Sequence, residues 1–600
     1  MNYSAYKNVN LLGGLLREKQ ELNRKITIHA VWKQFENTGR IGAFSCVWEE
    51  GMEQKPHIFW DSDVAKWMEG ASYILAKTRD KELEAKIESL IDKFETNQQP
   101  DGYFNIYYTV CEPGMRFTKR ENHELYCAGH FIEAAVAYYE ATGKDRFLKL
   151  VMRYADLIDQ TFHIKNSAAF TTPGHEEIEL ALIRLYQATN EPRYLALSKF
   201  FIEHRGANEK DGHRPSSQDF PIRSQRTATG HSVRCLYLYT AVSALAKELG
   251  DSELARRCQD IFFDIYSHKL YITGGVGSTN LYEGFTQKFD LPNRGAYAET
   301  CAAISLAYFC RNLLDLEKKS VYADVLERTL FNGILSGLSI DGKAFFYENP
   351  LEINVKINNR LIDAAGTEHH AATQRKEVFD CSCCPPNINR FIEEYESFLY
   401  DREGESVYVH ILAESTFDDG TAHVETHTNY PLDGKAKIVC RGAEFLCVRV
   451  PDWCSNFTAS SPYTMENGYA RFHHPGTVSL EFHMDPVLVE ANLNVQNNIG
   501  RAALMFGPLV YCAESVDNGE NLHALYVNQN LNAKVAFDPF FGANVIETDG
   551  FRKLQNSTAL YRPYSENFFE KTRIKFIPYF GFANRGESDM LVYFKVKEIN

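Results

Sequence analysis

Several features are scarce in this 600-residue chain, and each absence narrows what the protein can be. No apolar stretch approaches the roughly 18–20 residues of a membrane span, so a membrane protein is not expected. The N-terminal MNYSAYKNVNLLGGLLREKQELNRK lacks an apolar run followed by a small-residue cleavage site. No export signal is read there, and a cytoplasmic location is expected. No block of like charges forms a tail. The net charge of −15 works against nucleic acid or an anionic membrane as partner, because both reward clustered Lys and Arg. The familiar C-x2-C pairs of zinc modules are missing, and the loop GGVGS lacks the Lys-Ser/Thr of a phosphate-binding loop. There are only 9 Met and 5 Trp beside 33 Tyr and 40 Phe, a balance that suits an aromatic-lined pocket and ordinary core packing alike.

What is present reads as more than one domain. Six hundred residues exceed what one core serves, so two to four domains are expected. Up to about residue 395 the pattern is helical. In FWDSDVAKWMEGASYILAKT, Trp60, Val64, Trp67 and Ala71 fall on one helix face, with Asp61 or Ser62 as N-cap. A second helix, DKELEAKIESLIDKFETNQ, follows. The same hairpin recurs from NHELYCAGHFIEA, GHEEIELALIRLYQ, GHSVRCLYLYTAVSALAKELG and AETCAAISLAYFC, and a sixth copy begins after the double proline of CCPPN. About six copies predict an (α/α)6 barrel, with an open solenoid as the other repeat architecture; long segments after several second helices favour the closed form. After about residue 400, ESVYVHILAES, GTAHVETHTNYP, KAKIVCRGAEFLCVRVPDW and GTVSLEFHMDPVLVEA alternate with period two, and RAALMFGPLVYCAES reads as a buried strand pair. The expected class is therefore α plus β multidomain. An (α/α)6 barrel over residues 1–400 precedes a β-sandwich over 401–495, and 496–600 forms a second sandwich or completes the first.

The repeats make a prediction about chemistry. His123, His175 and His231 open the first helices of successive hairpins, and Glu299 opens the next. In a closed barrel those helix starts share one end, so the four side chains are expected at one mouth, where helix N-termini favour oxygen-rich ligands. Singly, each histidine reads equally as a loop-packing group. The cysteines divide similarly. Cys127, Cys235, Cys258 and Cys310 lie in helices and read as small buried hydrophobes. In a chain without a visible export signal, the 14 cysteines are expected as thiols or ligands rather than disulfides. DCSCCPPN is different, since Cys381, Cys383 and Cys384 crowd one turn ahead of Pro385 and Pro386. Adjacent thiolates can share a soft cation, and AETC offers Glu299 and Cys301 to complete a four-ligand zinc site. A redox or purely structural cysteine cluster is the other reading. Glu283, on the loop TGGVGSTNLYEGF, is expected over the same mouth, with Tyr282 and Phe285 desolvating it and raising its pKa.

These motifs together carry a resemblance. WDSDVAKWMEG, DGYFN, HELYCAGHFIEA, GHEEIELAL, TGGVGS, YEGF, DLPN, AYAETCA, FYENPL, CCPPN and GPLVYCAE occur in order over about residues 40–515. In that combination the chain resembles glycoside hydrolase family 127, whose founding activity is β-L-arabinofuranosidase; ETCA and CCPPN are its most specific motifs. The resemblance implies an (α/α)6 barrel with β-sandwiches and a Zn2+ held by Glu299, Cys301, Cys383 and Cys384. It implies Cys383 as nucleophile and Glu283 as acid/base of a retaining, exo-acting hydrolase. His123, His175 and His231 match sugar-contacting positions, with Tyr347 and Asp61 as further candidates for the pocket. Cys381 has no counterpart in that scheme.

The expected partner is a small carbohydrate, with β-L-arabinofuranose the first choice and a branched acidic deoxysugar of pectin the alternative. A homodimer is the one assembly considered. Two other classes compete: a sugar epimerase using the mouth histidines without zinc, and a carbohydrate-binding protein in which zinc is only a staple.

Overall fold

The computed structural model of the protein describes residues 5–207, 209–212, 219–359, 371–555, 557–563 and 568–597. Its long helices, in chain order, are α1 (Gly14–Leu22), α2 (Ile28–Asn37), α3 (Trp60–Lys77), α4 (Lys81–Asn97), α5 (Glu124–Thr142), α6 (Arg146–Ile158), α7 (Ile178–Thr189), α8 (Pro192–His204), α9 (Ser232–Leu249), α10 (Ser252–His268), α11 (Thr300–Leu316), α12 (Ser320–Arg328) and α13 (Cys384–Glu394). Composition decides which layer each occupies. α4 buries a single stripe, Leu83, Ile87, Leu90, Ile91 and Phe94, and leaves the rest to water. α5 is buried all round from Glu124 to Tyr138, and small residues such as Ala128, Ala134 and Ala135 let its neighbours approach.

The fully buried helices make a ring. α3, α5, α7, α9, α11 and α13 each pack on the next, and α13 packs back on α3. At that last contact a Cβ on Gly70 would stand 3.0 Å from the backbone nitrogen of Arg390, so glycine permits the close approach. α4, α6, α8, α10 and α12 each pack on the ring helix before them. The sixth outer position is filled from the opposite end of the chain. α1 and α2, joined by a π-helical turn at Asn23–Thr27, lie against α13. There Asn23 donates to Glu393 at 2.9 Å and Arg24 at 2.8 Å. The helix expected to be capped by Asp61 or Ser62 starts earlier, at Trp60, with Phe59 as its N-cap. Asp61 is taken by a distant partner, accepting from the Ile106 N–H at 3.0 Å.

The ring encloses charge rather than hydrocarbon. Arg390 donates to Glu69 at 2.8 Å, Glu133 at 2.6 Å and Tyr237 at 2.8 Å, while Arg184 donates to the same two carboxylates at 2.8 and 3.0 Å. All are buried, so the groups must satisfy one another. This network forms a floor beneath the mouth described below.

Beyond residue 400 the alternation materialises as strands. Lys435–Arg441 and Thr477–Phe482 bury every second side chain. One sheet runs in the order Val9–Leu11, Ser415–Asp418, His423–Thr428, Lys435–Arg441, Thr477–Phe482, Phe457–Ala459. A five-stranded sheet contains Tyr400–Glu403, Ser406–Val409, Phe445–Arg449, Thr464–Glu466 and Tyr469–His473. The largest sheet gathers strands from Pro486–Glu490 to Tyr593–Lys597 and takes in Glu352–Ile353 from the helical half. Arg501–Phe506 and Leu509–Glu514 form the expected buried pair, antiparallel about Gly507. No helix among the described residues is long and apolar enough to cross a membrane.

Candidate active site

Four side chains from two helix starts meet at one end of the ring. Glu299 is the N-cap of α11 and Cys383 the N-cap of α13, with Cys301 and Cys384 just inside the same helices. Pro385 and Pro386 occupy the first turn of α13, where the missing N–H costs nothing. The Thr300 N–H bonds to the Tyr347 carbonyl at 2.9 Å, and Asn349 bonds to the Ala298 carbonyl at 3.0 Å, so FYENPL clamps AETC in place. Sγ of Cys301 lies 3.6 Å from that of Cys383 and 3.3 Å from that of Cys384, and the latter two are 3.7 Å apart. Oε1 of Glu299 is 3.6 Å from Cys383 and 3.8 Å from Cys384. Ligands at about 2.3 Å from a tetrahedral zinc stand about 3.8 Å apart, so the set fits that ion. Oε2 of Glu299 is buried without a hydrogen-bond partner.

The electrostatics agree with a cation-binding cluster. Burial, then the neighbouring charge of Cys383, pushes Glu299 far above the carboxylate range. Burial likewise raises Cys301 and Cys384. Cys383 alone is driven well below the usual thiol value, by hydrogen bonds from Cys301, Cys381 and Cys384. Its place at a helix N-terminus favours the same anion. Tyr347 Oη lies 3.3 Å from Cys383 Sγ and 3.9 Å from Cys381 Sγ.

The loop glutamate reaches the same cavity. Glu283 adopts left-handed backbone (φ 56°), and its carbonyl accepts from the N–H and hydroxyl of Ser232 at 3.0 and 2.9 Å. His231, the N-cap of α9, accepts the Val233 N–H on Nδ1 at 3.1 Å. The ring proton is therefore on Nε2, which lies 2.7 Å from Oε2 of Glu283. His123 and His175 are the opposite tautomer, since Nδ1 of each faces a backbone carbonyl at 2.9 and 3.0 Å. Their Nε2 atoms are acceptors. Burial holds His123 down at about 3 and His175 well below the usual range, so both stay neutral. The three rings stand in a row, with centroids 5.4 and 5.5 Å apart.

One expectation about Glu283 fails. Desolvation does raise its pKa, but the His231 hydrogen bond and charge outweigh it, and the net shift is downward. Tyr282 does not line the cavity, and its hydroxyl donates to the Phe285 carbonyl at 2.7 Å.

The cavity holds about 50 Å3 and is lined by Asp63, His123, Tyr126, His175, His231, Glu283, Glu299, Cys301, Tyr347, Cys381 and Cys383, with Phe59, Ser62 and Val233. Asp61 is not among them; Asp63, two residues on, faces the cavity and pairs with Arg40 at 2.9 Å. Sequence reasoning also missed Lys66, buried and bonded to Tyr126 Oη at 2.5 Å. The nearby thiols Cys301 and Cys383 favour its charged form, although burial opposes it. A signal existed, because Asp63 and Lys66 are charges at helical spacing within an otherwise buried segment. Cys127, Cys235, Cys258 and Cys310 are buried, and all fourteen cysteines are free thiols.

Comparison with known proteins agrees with this geometry. Residues 8–397 match the family model described as beta-L-arabinofuranosidase, GH127 catalytic domain, and residues 486–595 match the glycoside hydrolase family 127 C-terminal domain. A non-reducing end beta-L-arabinofuranosidase from Bifidobacterium longum subsp. longum is 34% identical, over 89% of each chain. The crystal structure of a GH127 beta-L-arabinofuranosidase from Geobacillus stearothermophilus T6 superposes with a TM-score of 0.92 at 38% identity, covering 98% of this chain and 100% of that one. A GH127 beta-arabinofuranosidase structure gives 0.90 at 32% identity, covering 100% and 99%. On this evidence the chain belongs to glycoside hydrolase family 127.

Proposed function

We propose that the protein is a retaining, exo-acting glycosidase that releases β-L-arabinofuranose, with Cys383 as nucleophile and Glu283 as acid/base. The observation that carries this reading is the meeting of Glu299, Cys301, Cys383 and Cys384 with Glu283 and three histidines in one small cavity. About 50 Å3 is room for about four waters, the scale of one sugar ring rather than of a chain. With the Arg and Glu floor beneath it, the cavity suits a terminal residue. In this reading the closed ring of helices is an (α/α)6 barrel over residues 1–400. The strands after it form β-sandwich units, and the edge strand Pro486–Glu490 supports a second boundary near residue 486 rather than 496.

Glu299, Cys301, Cys383 and Cys384 would hold a Zn2+. When bound, the ion supplies charge compensation that keeps buried thiolates deprotonated near neutral pH. The chain's own groups account for the remaining steps. Acceptor nitrogens of His123 and His175 bind sugar hydroxyls and orient the ring. Glu283 gives its proton to the departing oxygen while the Cys383 sulfur attacks the anomeric carbon from the opposite face. The resulting S-glycosyl bond is broken by water, whose proton returns to Glu283, and Cys383 leaves as thiolate. Two inversions retain the configuration. His231, as donor to the Glu283 carboxylate, steadies the form that takes up that proton.

An epimerase would need no thiolate cluster, and membership of a hydrolase family weighs against it. The test is a panel of aryl glycosides that includes both anomers of L-arabinofuranose, with methanol present to trap the glycosyl group. Turnover of the β-anomer with methyl β-L-arabinofuranoside as product is expected. Turnover of other sugars only would remove the assigned substrate, and methyl α-L-arabinofuranoside as product would remove the retaining mechanism.

A further inference from the structure

A second concavity shares a wall with the cavity of Glu283 and is much larger, about 820 Å3. The wall is the paired backbone of 229–231 and 282–285, joined where the Phe285 N–H bonds to the Gly230 carbonyl at 2.9 Å. Along these segments His231 and Glu283 line the small cavity, while Gly230, Tyr282 and Phe285 line the groove. The opposite wall comes from the C-terminal domain, through Asn494, Gln496 and Asn497. We propose that this groove is the acceptor-side subsite, which binds the neutral sugar residue joined to the arabinofuranose that is cleaved. The inference rests on the glycosidase reading above.

Three observations carry it. First, position: the residue that protonates the departing oxygen must face the departing group, and Glu283 lines the small cavity on the strip whose neighbouring residues Tyr282 and Phe285 line the groove. Second, chemistry: Tyr282 and Phe289 offer ring surfaces, and three exposed amides offer donors and acceptors together. Among the described residues the charged lining groups are Lys288 and Asp290, of opposite sign, so the described lining favours a neutral hydroxyl-rich ligand over an ion. Third, the amides sit on an anchored turn. Val495 is buried, and buried Asn498 accepts from Asn293 Nδ2 at 2.8 Å, tying the turn to the end of the Glu283 loop. Asn494, Gln496 and Asn497 alternate with those anchors and project outward.

The test combines Asn494→Ala, Gln496→Ala and Asn497→Ala in one zinc-loaded enzyme. It compares methyl β-L-arabinofuranoside, which has nothing to reach the groove, with a β-linked L-arabinofuranosyl disaccharide. Loss of two or more hydrogen bonds should lower kcat/KM for the disaccharide about tenfold or more, mainly through KM. The methyl glycoside should be turned over as before. An unchanged ratio between the substrates would overturn the subsite while leaving the hydrolase reading intact; wild-type enzyme inert towards both would overturn the two together. As a measurement independent of the triple variant, calorimetry on the Glu283→Gln enzyme should find the disaccharide bound more tightly than the methyl glycoside, and equal affinity would overturn the subsite.

Discussion

Nε2 of His231 lies 2.7 Å from Oε2 of Glu283, and the same imidazole caps α9 through Nδ1. One ring thus joins helix capping to the protonation of the proposed acid/base. Burial raises the Glu283 pKa and His231 lowers it, with a net depression.

Replacing His231 by Asn separates these two functions. Asn is among the best N-cap residues, so the melting temperature should change little. Without the imidazole, the largest influences that hold the Glu283 pKa down are gone, leaving the Tyr297 hydrogen bond against desolvation and the Cys383 charge, and the pKa rises. An acid must carry its proton to act, so kcat/KM falls as pH rises through that pKa. The alkaline limb of the kcat/KM profile should therefore move to higher pH in the variant. A limb that stays in place would show that His231 does not set the acid's protonation.

Among the clustered cysteines Cys383 alone is biased to the anion, with three thiols hydrogen-bonded to it. Cys383→Ser should lower kcat by about a thousandfold or more, the scale seen when a nucleophile is removed. Peptide mapping after reaction with a slow, activated substrate should find the sugar on the peptide containing Cys383. A label on Cys381 would move the nucleophile two residues upstream.

Much of this was legible in residues, and the limits are specific. His123 and His231 are helix N-caps as the repeat predicts, and His175, expected to open α7, lies two residues before its N-cap Glu177; all three still reach one cavity because they recur at nearby points of the repeat. Glu299 with Cys301 and Cys383 with Cys384 pair because both couples open ring helices. The outer partner of α13 was not legible, since α1 and α2 lie about 350 positions upstream and no local pattern links them. Asp61 and Asp63 are both acidic in the first turn of α3, and only tertiary contacts with Ile106 and Arg40 decide which faces the cavity. The direction of the Glu283 shift depends on a histidine 52 residues away in sequence, so its immediate neighbours Tyr282 and Phe285 could not reveal it.

Removal of the proposed Zn2+ should expose the coupling between cluster and fold. Dialysis against a strong chelator should lower both activity and melting temperature, and added Zn2+ should restore them. Cys301→Ser, which leaves Cys383 in place, should reduce bound metal from about one per chain to a small fraction. A metal-free protein with full activity and unchanged melting would exclude a role for the cluster in either property.

Gly284 follows the proposed acid/base, and a Cβ there would stand 1.9 Å from the Gly230 carbonyl oxygen. Gly284→Ala must displace the strip that carries Glu283. A displacement of about 1 Å at a catalytic group costs up to about a hundredfold in rate. Activity should fall on that scale while bound metal stays near wild type, because no ligand lies on the strip. Loss of metal along with activity would mean that the loop supports the cluster as well as Glu283.

Arg390 tests what closes the ring. It sits on α13 and bonds to Glu69 on α3, Glu133 on α5 and Tyr237 on α9, so one guanidinium ties four of the six ring helices. Arg390→Met keeps much of the side chain's bulk but leaves the two buried carboxylates with one guanidinium, that of Arg184, in place of two. Removing one partner of a buried ion pair costs about 3–5 kcal/mol, far more than the pair adds over an apolar replacement. The urea midpoint should fall accordingly. Because α13 carries Cys383 and Cys384 at its start, the variant should also bind metal less tightly, although Arg390 touches no ligand. Neutralising the carboxylates as well, through Glu69→Gln and Glu133→Gln, should recover part of the stability. If the triple variant were no more stable than Arg390→Met, the loss would arise from packing at the α3 contact with Gly70 rather than from uncompensated charge.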